Sequence, residues 1–215
     1  MELNIDPNFS VWGLTQRVRT GSTLLNHRKT MNLMSYAIED VTLIEKEPTR
    51  VFAGFQRFSR FRPQAKRYAQ IAKLAQMTYV FGIPDVAPPS IPGITFVPLT
   101  SRDQLAREWF LVSSNDAFAC ALVTQEITSE VTRDSERMFE GILSFDVRLV
   151  EILDEWLVRT VNAQVPLITV SRPFNTKRHL QLKNRVISWI ETGMDQSQLP
   201  QHLHYEVQSV VTTVA

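Results

Sequence analysis

The chain has 215 residues, 44% of them hydrophobic and 21% charged, with seven glycines and one cysteine. That suffices for one sizeable core with a small appendage, and it excludes a peptide hormone, a disordered tail and a multidomain enzyme. The lone Cys120 excludes an intramolecular disulfide and a cysteine-only zinc site, and a net charge of +1 excludes a global basic field that would draw nucleic acid non-specifically.

In chain order, residues 1–22 form an N-terminal segment. From Thr23 to Glu45, apolar residues at Leu24, Met31, Met34, Ile38 and Val41 make one helical stripe, which packs on a sheet or on a second copy of itself. Two clean heptads fall short of a coiled coil, so a homodimer through this helix is the minority reading. Arg50 to Gln56 suits a strand in which Gly54 marks a bend or a close approach. Pro63 opens a helix over Gln64 to Gln76, with Ala65, Tyr68, Ala69, Ala72 and Ala75 as a stripe of small residues around one aromatic and Ile71 and Leu74 near its edge.

Period-two and short apolar runs follow. Thr78 to Ile83 is a strand, Pro84 to Pro92 a surface loop that prolines bar from a central strand, and Ile94 to Leu99 the next strand. Ser101 and Gln104 have capping-box spacing for a short helix. Glu108 to Ser113 and Ala117 to Glu126 are strands joined by Ser114, Asn115 and Asp116. Glu130 to Glu136 is a charged loop, and Met138 to Phe145 the last strand.

Asp146 is placed to cap a helix running to about Asn162, buried along Val150, Leu153, Leu157 and Val161 and widened by Leu149, Ile152 and Trp156. A second amphipathic helix spans Lys177 to Thr192, with Gly193 as its stop. The sum is an α+β fold: a five- or six-stranded, mostly antiparallel sheet with an N-terminal helix, one covering helix and C-terminal helices. A domain over residues 23–162 and a C-terminal helical extension over 163–215 are expected.

Charge is sorted along the chain. Residues 1–84 carry 12 basic and 6 acidic side chains, residues 85–162 carry 6 and 13, and residues 163–215 carry 5 and 3. Between Glu47 and Asp85 no acid occurs, while Arg50, Arg57, Arg60, Arg62, Lys66, Arg67 and Lys73 all fall there. This run either meets the acidic middle block within the fold or faces an anionic partner.

Catalytic signatures are thin. His202 and His204 alternate but lack companions for a metal site, Ser113 and Ser114 lack a patterned base, and Glu39 and Asp40 point about 100° apart on a helix. Cys120 lies in an apolar strand and reads as a small buried hydrophobe. Met77 to Ser101, the longest stretch with few charges, holds Asp85 and five prolines and cannot cross a bilayer. Glu2 and Asp6 stand where a secretory signal would be basic, so a cytoplasmic protein is expected.

The blocks MNLMSYAIED, FAGFQRFSR, KRYAQIAKLAQ, YVFG, EWFLV and FEGILSFD, in this order from Met31 to Val161, resemble the DICT domain, a sensory module of diguanylate cyclases and two-component systems found especially in cyanobacteria. The resemblance implies a non-catalytic, signal-input role exercised by binding a ligand, a signalling partner, or both. No glycine-glycine-acid-acid-phenylalanine signature, phosphate-binding loop or kinase core accompanies it, and the residues beyond the matched region are too few for an output enzyme. A stand-alone module passing its signal by contact is therefore expected. On the matched positions, Phe55, Tyr68, Phe81 and Trp109 either wall a pocket whose directional donors are Gln56, Arg57 and Arg67, or fill the core while the arginines pair with Glu39, Asp40 or Glu108. The family has no agreed ligand, and the sequence names no cofactor or chromophore. A ligand-free interaction scaffold is the alternative; nucleic-acid binding through residues 48–84 is the less favoured one.

Overall fold

Period-two alternation with apolar residues in both phases is what a sheet covered on both faces requires, and the central strands have it. In the computed structural model, which describes residues 5–18, 24–128, 136–161 and 173–196, the elements run α1 (Val11–Val18), β1 (Leu24–His27), α2 (Arg28–Leu43), β2 (Arg50–Arg57), α3 (Phe58–Phe61), α4 (Ala65–Leu74), β3 (Met77–Ile83), β4 (Ile94–Pro98), β5 (Glu108–Asn115), β6 (Phe118–Glu126), β7 (Met138–Ser144), α5 (Val147–Thr160) and α6 (Thr176–Gln196). Single 3₁₀ turns lie at Arg62–Gln64 and Gln104–Arg107.

The seven strands of the described residues form one sheet in the order β1-β7-β6-β5-β2-β3-β4. Pairing is antiparallel from β1 to β2 and parallel from β2 through β3 to β4. The α+β class and the mostly antiparallel sheet therefore hold. All six expected strands are present, and a seventh, β1, occupies the start of the segment read as one long helix. Leu24 to His27 pair with β7, and the helix begins only at Arg28.

Two cores follow from the alternation. Val51, Ala53, Val80, Leu111, Cys120, Leu122 and Phe139 project to one face, under Met31, Met34 and Ile38 of α2, Tyr68 and Ile71 of α4, and Leu182, Val186 and Ile190 of α6. Phe52, Phe81, Phe110, Val112, Ala121 and Val123 project to the other, under α1 and α5. Gly54 meets the close approach expected of it: a Cβ there would stand 2.4 Å from the Phe110 ring.

Several local readings change. In α4 the buried residues are Tyr68 and Ile71, so Ile71 belongs to the centre of the face, which packs against α2 and β3. Ser101 caps nothing: Asp103 precedes the short turn and its carboxylate accepts from the Thr100 N–H at 2.6 Å. The β5–β6 hairpin is tighter than expected, since Ser114 and Asn115 pair with Ala119 and Phe118. Trp156 is 44% exposed instead of widening the buried face, and stacks on Phe9. Gly193 lies inside α6, where the missing side chain makes room for Leu33 of α2. Asp146 caps α5 as expected, its carboxylate accepting from the Leu149 N–H at 3.0 Å. His202, His204 and most of the loop from Glu130 to Glu136 lie outside the described residues.

The sequence left residues 1–22 without structure, yet α1 is built there by its own cap. Ser10 Oγ accepts from the Gly13 N–H at 2.7 Å and donates to Glu108 at 2.5 Å, while the other Glu108 oxygen accepts from the Trp12 N–H at 3.0 Å. A carboxylate on β5 thus holds the N-terminal end of α1, 98 residues away in sequence.

Candidate functional site

The seven residues singled out from the sequence do not form one site. Phe55, Tyr68 and Trp109 gather on the α2/α4 face: Phe55 meets Phe61 and Tyr68 edge-on, with ring centroids 5.2 and 5.3 Å apart, and the Trp109 indole N–H donates to Ser35 Oγ at 3.2 Å. Between Tyr68, Trp109, Ser35 and Glu39 remains a gap of only about 20 Å³, scarcely more than the volume of about 10–15 Å³ that one water needs. Phe81 is not part of it. Its neighbour Val80 faces α4, so the alternation of β3 turns Phe81 to the opposite core, against Phe110 at 5.4 Å.

Arg67 is committed to the fold. Its guanidinium donates to Glu39, to Asp40 at 2.7 Å and to the Tyr36 carbonyl at 3.0 Å, and lies over the Tyr36 ring, tying α4 to α2. Burial raises the Glu39 carboxyl above its ordinary value, an effect that Arg67 and the Tyr68 hydroxyl oppose. The acid-free segment does not make one basic surface: Arg50 is buried against Asp154 of α5 at 2.6 Å, and Ser59 holds Asp85 close to Arg57. Basic and acidic blocks thus meet in part within the fold, but Arg67 finds its acids in the first block instead.

Gln56 and Arg57 open a second place. β2 ends in an irregular register between Gly54 and Arg57, and Gln56 sits in the left-handed region at φ 64°. That twist aims its buried amide at the ends of β5 and β6: Nε2 donates to the Arg107 carbonyl at 3.1 Å and to Glu126 at 3.0 Å, and Oε1 accepts from both Arg60 and Arg137. Arg137, itself buried, grips Glu126 through Nε and Nη2, each at 2.6 Å. Around this hub lies a cleft of about 190 Å³, lined by Gln56, Arg57, Arg60, Arg107, Glu126 and Arg137 among others.

The electrostatics of the cleft are one-sided. Burial, together with the charges of Arg137, Arg57 and Arg28, pushes Arg60 down to about 10, and Glu126 only partly compensates. Glu126 is held below its ordinary range, against burial, by Arg137 and by the donors Gln56 and Thr128. Arg60, Arg107, Glu126 and Arg137 were not singled out as site residues. Arg57 and Arg60 stand in the acid-free run, but nothing in the sequence joins them to Arg137.

Cys120 is fully buried and its thiol is pushed up by burial, the behaviour of a packed hydrophobe. Among the described residues no cluster of three His, Cys, Asp or Glu could hold a metal, and no helix is long and apolar enough to cross a membrane.

No curated protein matches this chain. A solved polyphosphate kinase from Porphyromonas gingivalis is similar at 12% identity and a TM-score of 0.36 over 78% of this chain, which spans 29% of that kinase's length; a likeness of this size carries no argument about fold or activity. The family model of the sensory domain in diguanylate cyclases and two-component systems matches residues 9–127, from before α1 to just past the end of β6. That match starts earlier than the resemblance read from the blocks, taking in α1, and ends before the FEGILSFD block. The chain belongs to the DICT family of sensory domains.

Proposed function

We propose that this chain is a non-catalytic sensory module of a bacterial signalling system, working in the cytoplasm, and that it receives its signal as a small polar ligand in the cleft at the end of β2. The observation that carries this reading is the contrast between the two candidate places. The aromatic gap beside Tyr68 and Trp109 has about 20 Å³, whereas the cleft around Gln56 has about 190 Å³ and converging donors. Of the residues first put forward, Gln56 and Arg57 thus serve the ligand, Phe55, Tyr68 and Trp109 set the position of β2 and α4 behind it, and Phe81 anchors the far core.

The cleft sits where β2, β5, β6 and the segment entering β7 meet, so a bound molecule would pull on several strands at once. Output passes by contact to a signalling partner. α2 and α6 pack on each other with Leu33 over Gly193, and Arg178 of α6 pairs with Glu45 and Glu47 just past the end of α2. A homodimer through the α2 stripe is therefore not part of this reading, and neither is nucleic acid.

Native mass spectrometry of the full chain taken from its own cells tests the proposal. A small molecule retained by the wild type and lost from Gln56→Ala supports it. A chain that carries no small molecule, or one retained equally by Gln56→Ala, refutes the cleft and leaves the ligand-free scaffold.

A further inference from the structure

The lining of the Gln56 cleft specifies the charge of what it holds. Among the described residues it presents four arginines, Arg57, Arg60, Arg107 and Arg137, and one carboxylate, Glu126. That carboxylate is already spent: both oxygens take Arg137, and they also accept from Gln56 and Thr128. Arg60 is left with the neutral amide oxygen of Gln56, which it shares with Arg137. Two guanidinium groups converging on one amide oxygen bring like charges together, and Glu126, bound to Arg137, offsets the charge of Arg60 only in part, so the cleft favours added negative charge.

Resting on the cleft as the ligand site, we infer that its ligand is a multiply charged oxyanion, a phosphate-bearing small molecule, held by Arg57, Arg60 and Arg107 with Arg137 fixed behind them. Planar guanidinium forks match phosphate oxygens two at a time, and several of them partly out of water favour a dianion over a single carboxylate. Gln56 acts as a positioning residue: its amide, locked by the Arg107 carbonyl and Glu126, sets the spacing of the Arg60 and Arg137 forks. The volume is more than ten times that needed for one water of about 15 Å³, so the cleft admits a phosphoryl group with a small substituent.

Phosphorus-31 NMR of inorganic phosphate and of pyrophosphate, titrated with the full chain in chloride buffer at low and moderate salt, tests the inference, with succinate as a competitor. The expected result is broadening of both phosphorus signals, stronger for pyrophosphate, little displacement by succinate, and at least tenfold weaker binding in Arg57→Gln and Arg107→Gln. These two substitutions lie in the outer wall, and unchanged thermal unfolding certifies that the variants fold. No broadening, or equal broadening in the variants, overturns the oxyanion. Binding of succinate in preference to phosphate overturns the phosphate class. A cellular ligand that is uncharged, yet lost from Gln56→Ala by mass spectrometry, would sink this inference while leaving the cleft as the sensory site.

Discussion

Phe55 and Gln56 are adjacent in β2, yet the Phe55 ring packs edge-on against Phe61 and Tyr68 while the Gln56 amide bonds to the Arg107 carbonyl and to Glu126. The left-handed backbone at Gln56 separates them, ending the regular strand and delivering a polar group to the cleft. Replacing Gln56 by Ala should cost about 2–3 kcal/mol, because Arg60 and Arg137 lose a shared acceptor in a buried setting. Replacing it by Gly should cost about 1 kcal/mol less than Ala, since glycine adopts positive φ freely. Urea unfolding checks this order, which is the reverse of the one a regular strand position gives.

Arg67 tests how far the α2/α4 contact depends on one ion pair. Arg67→Ala strands the buried Glu39 and should destabilise the protein by about 3 kcal/mol. Adding Glu39→Gln removes the stranded charge and should recover about half of that loss. Strictly additive effects in the double-mutant cycle would show that the two residues are not coupled.

Glu108 makes the anchoring of α1 pH-dependent. Burial, opposed by Ser10 and the N–H groups of Trp12 and Val11, pushes its carboxyl from 4.5 up to about 7. Between those values the folded chain keeps a proton that the unfolded chain has lost. Its contribution to stability is therefore complete below pH 4.5 and disappears as pH rises through 7. The ceiling on the effect is about 3 kcal/mol. Comparing unfolding of the wild type with Glu108→Gln from pH 4 to 8 should show the difference shrinking or changing sign across that window; a constant difference would contradict the assignment.

Gly141 and Gly82 should behave differently. A Cβ at Gly141 would lie 2.2 Å from Thr124 Cγ2 and 2.4 Å from the Val123 carbonyl oxygen, a backbone atom that cannot step aside. A Cβ at Gly82 meets Phe58 Cδ1 at 3.0 Å and the Arg57 carbonyl carbon at 3.2 Å. Gly141→Ala should cost about 3 kcal/mol or more, and Gly82→Ala about 1 kcal/mol. Thermal unfolding of the two variants ranks them.

Most secondary structure was legible because its causes are local. The alternation in Thr78 to Ile83, the proline cluster after it and the Asp146 cap each act within a few residues, and each stands where the sequence places it. The failures have one origin. β1 is a strand because β7 offers it an edge, α1 is held by a carboxylate on β5, and Gly193 accommodates Leu33 instead of ending α6. In each case a distant partner outweighed the local signal.

The candidate site divides in the same way. Composition and residue order alone determined a covered α+β sheet, a DICT sensory domain and a stretch of uncompensated arginine that had to be answered somewhere. Only the tertiary structure decided which arginines are neutralised and which converge. Arg50 and Arg67 are consumed by Asp154, Glu39 and Asp40, whereas Arg57 and Arg60 meet Arg137, which donates to Gln56 from 81 residues away. The reason is that charge pairing depends on separation in space, and the pairing of β6 with β5 and β7 brings Glu126 and Arg137 to the end of β2, a juxtaposition that no spacing along the chain encodes.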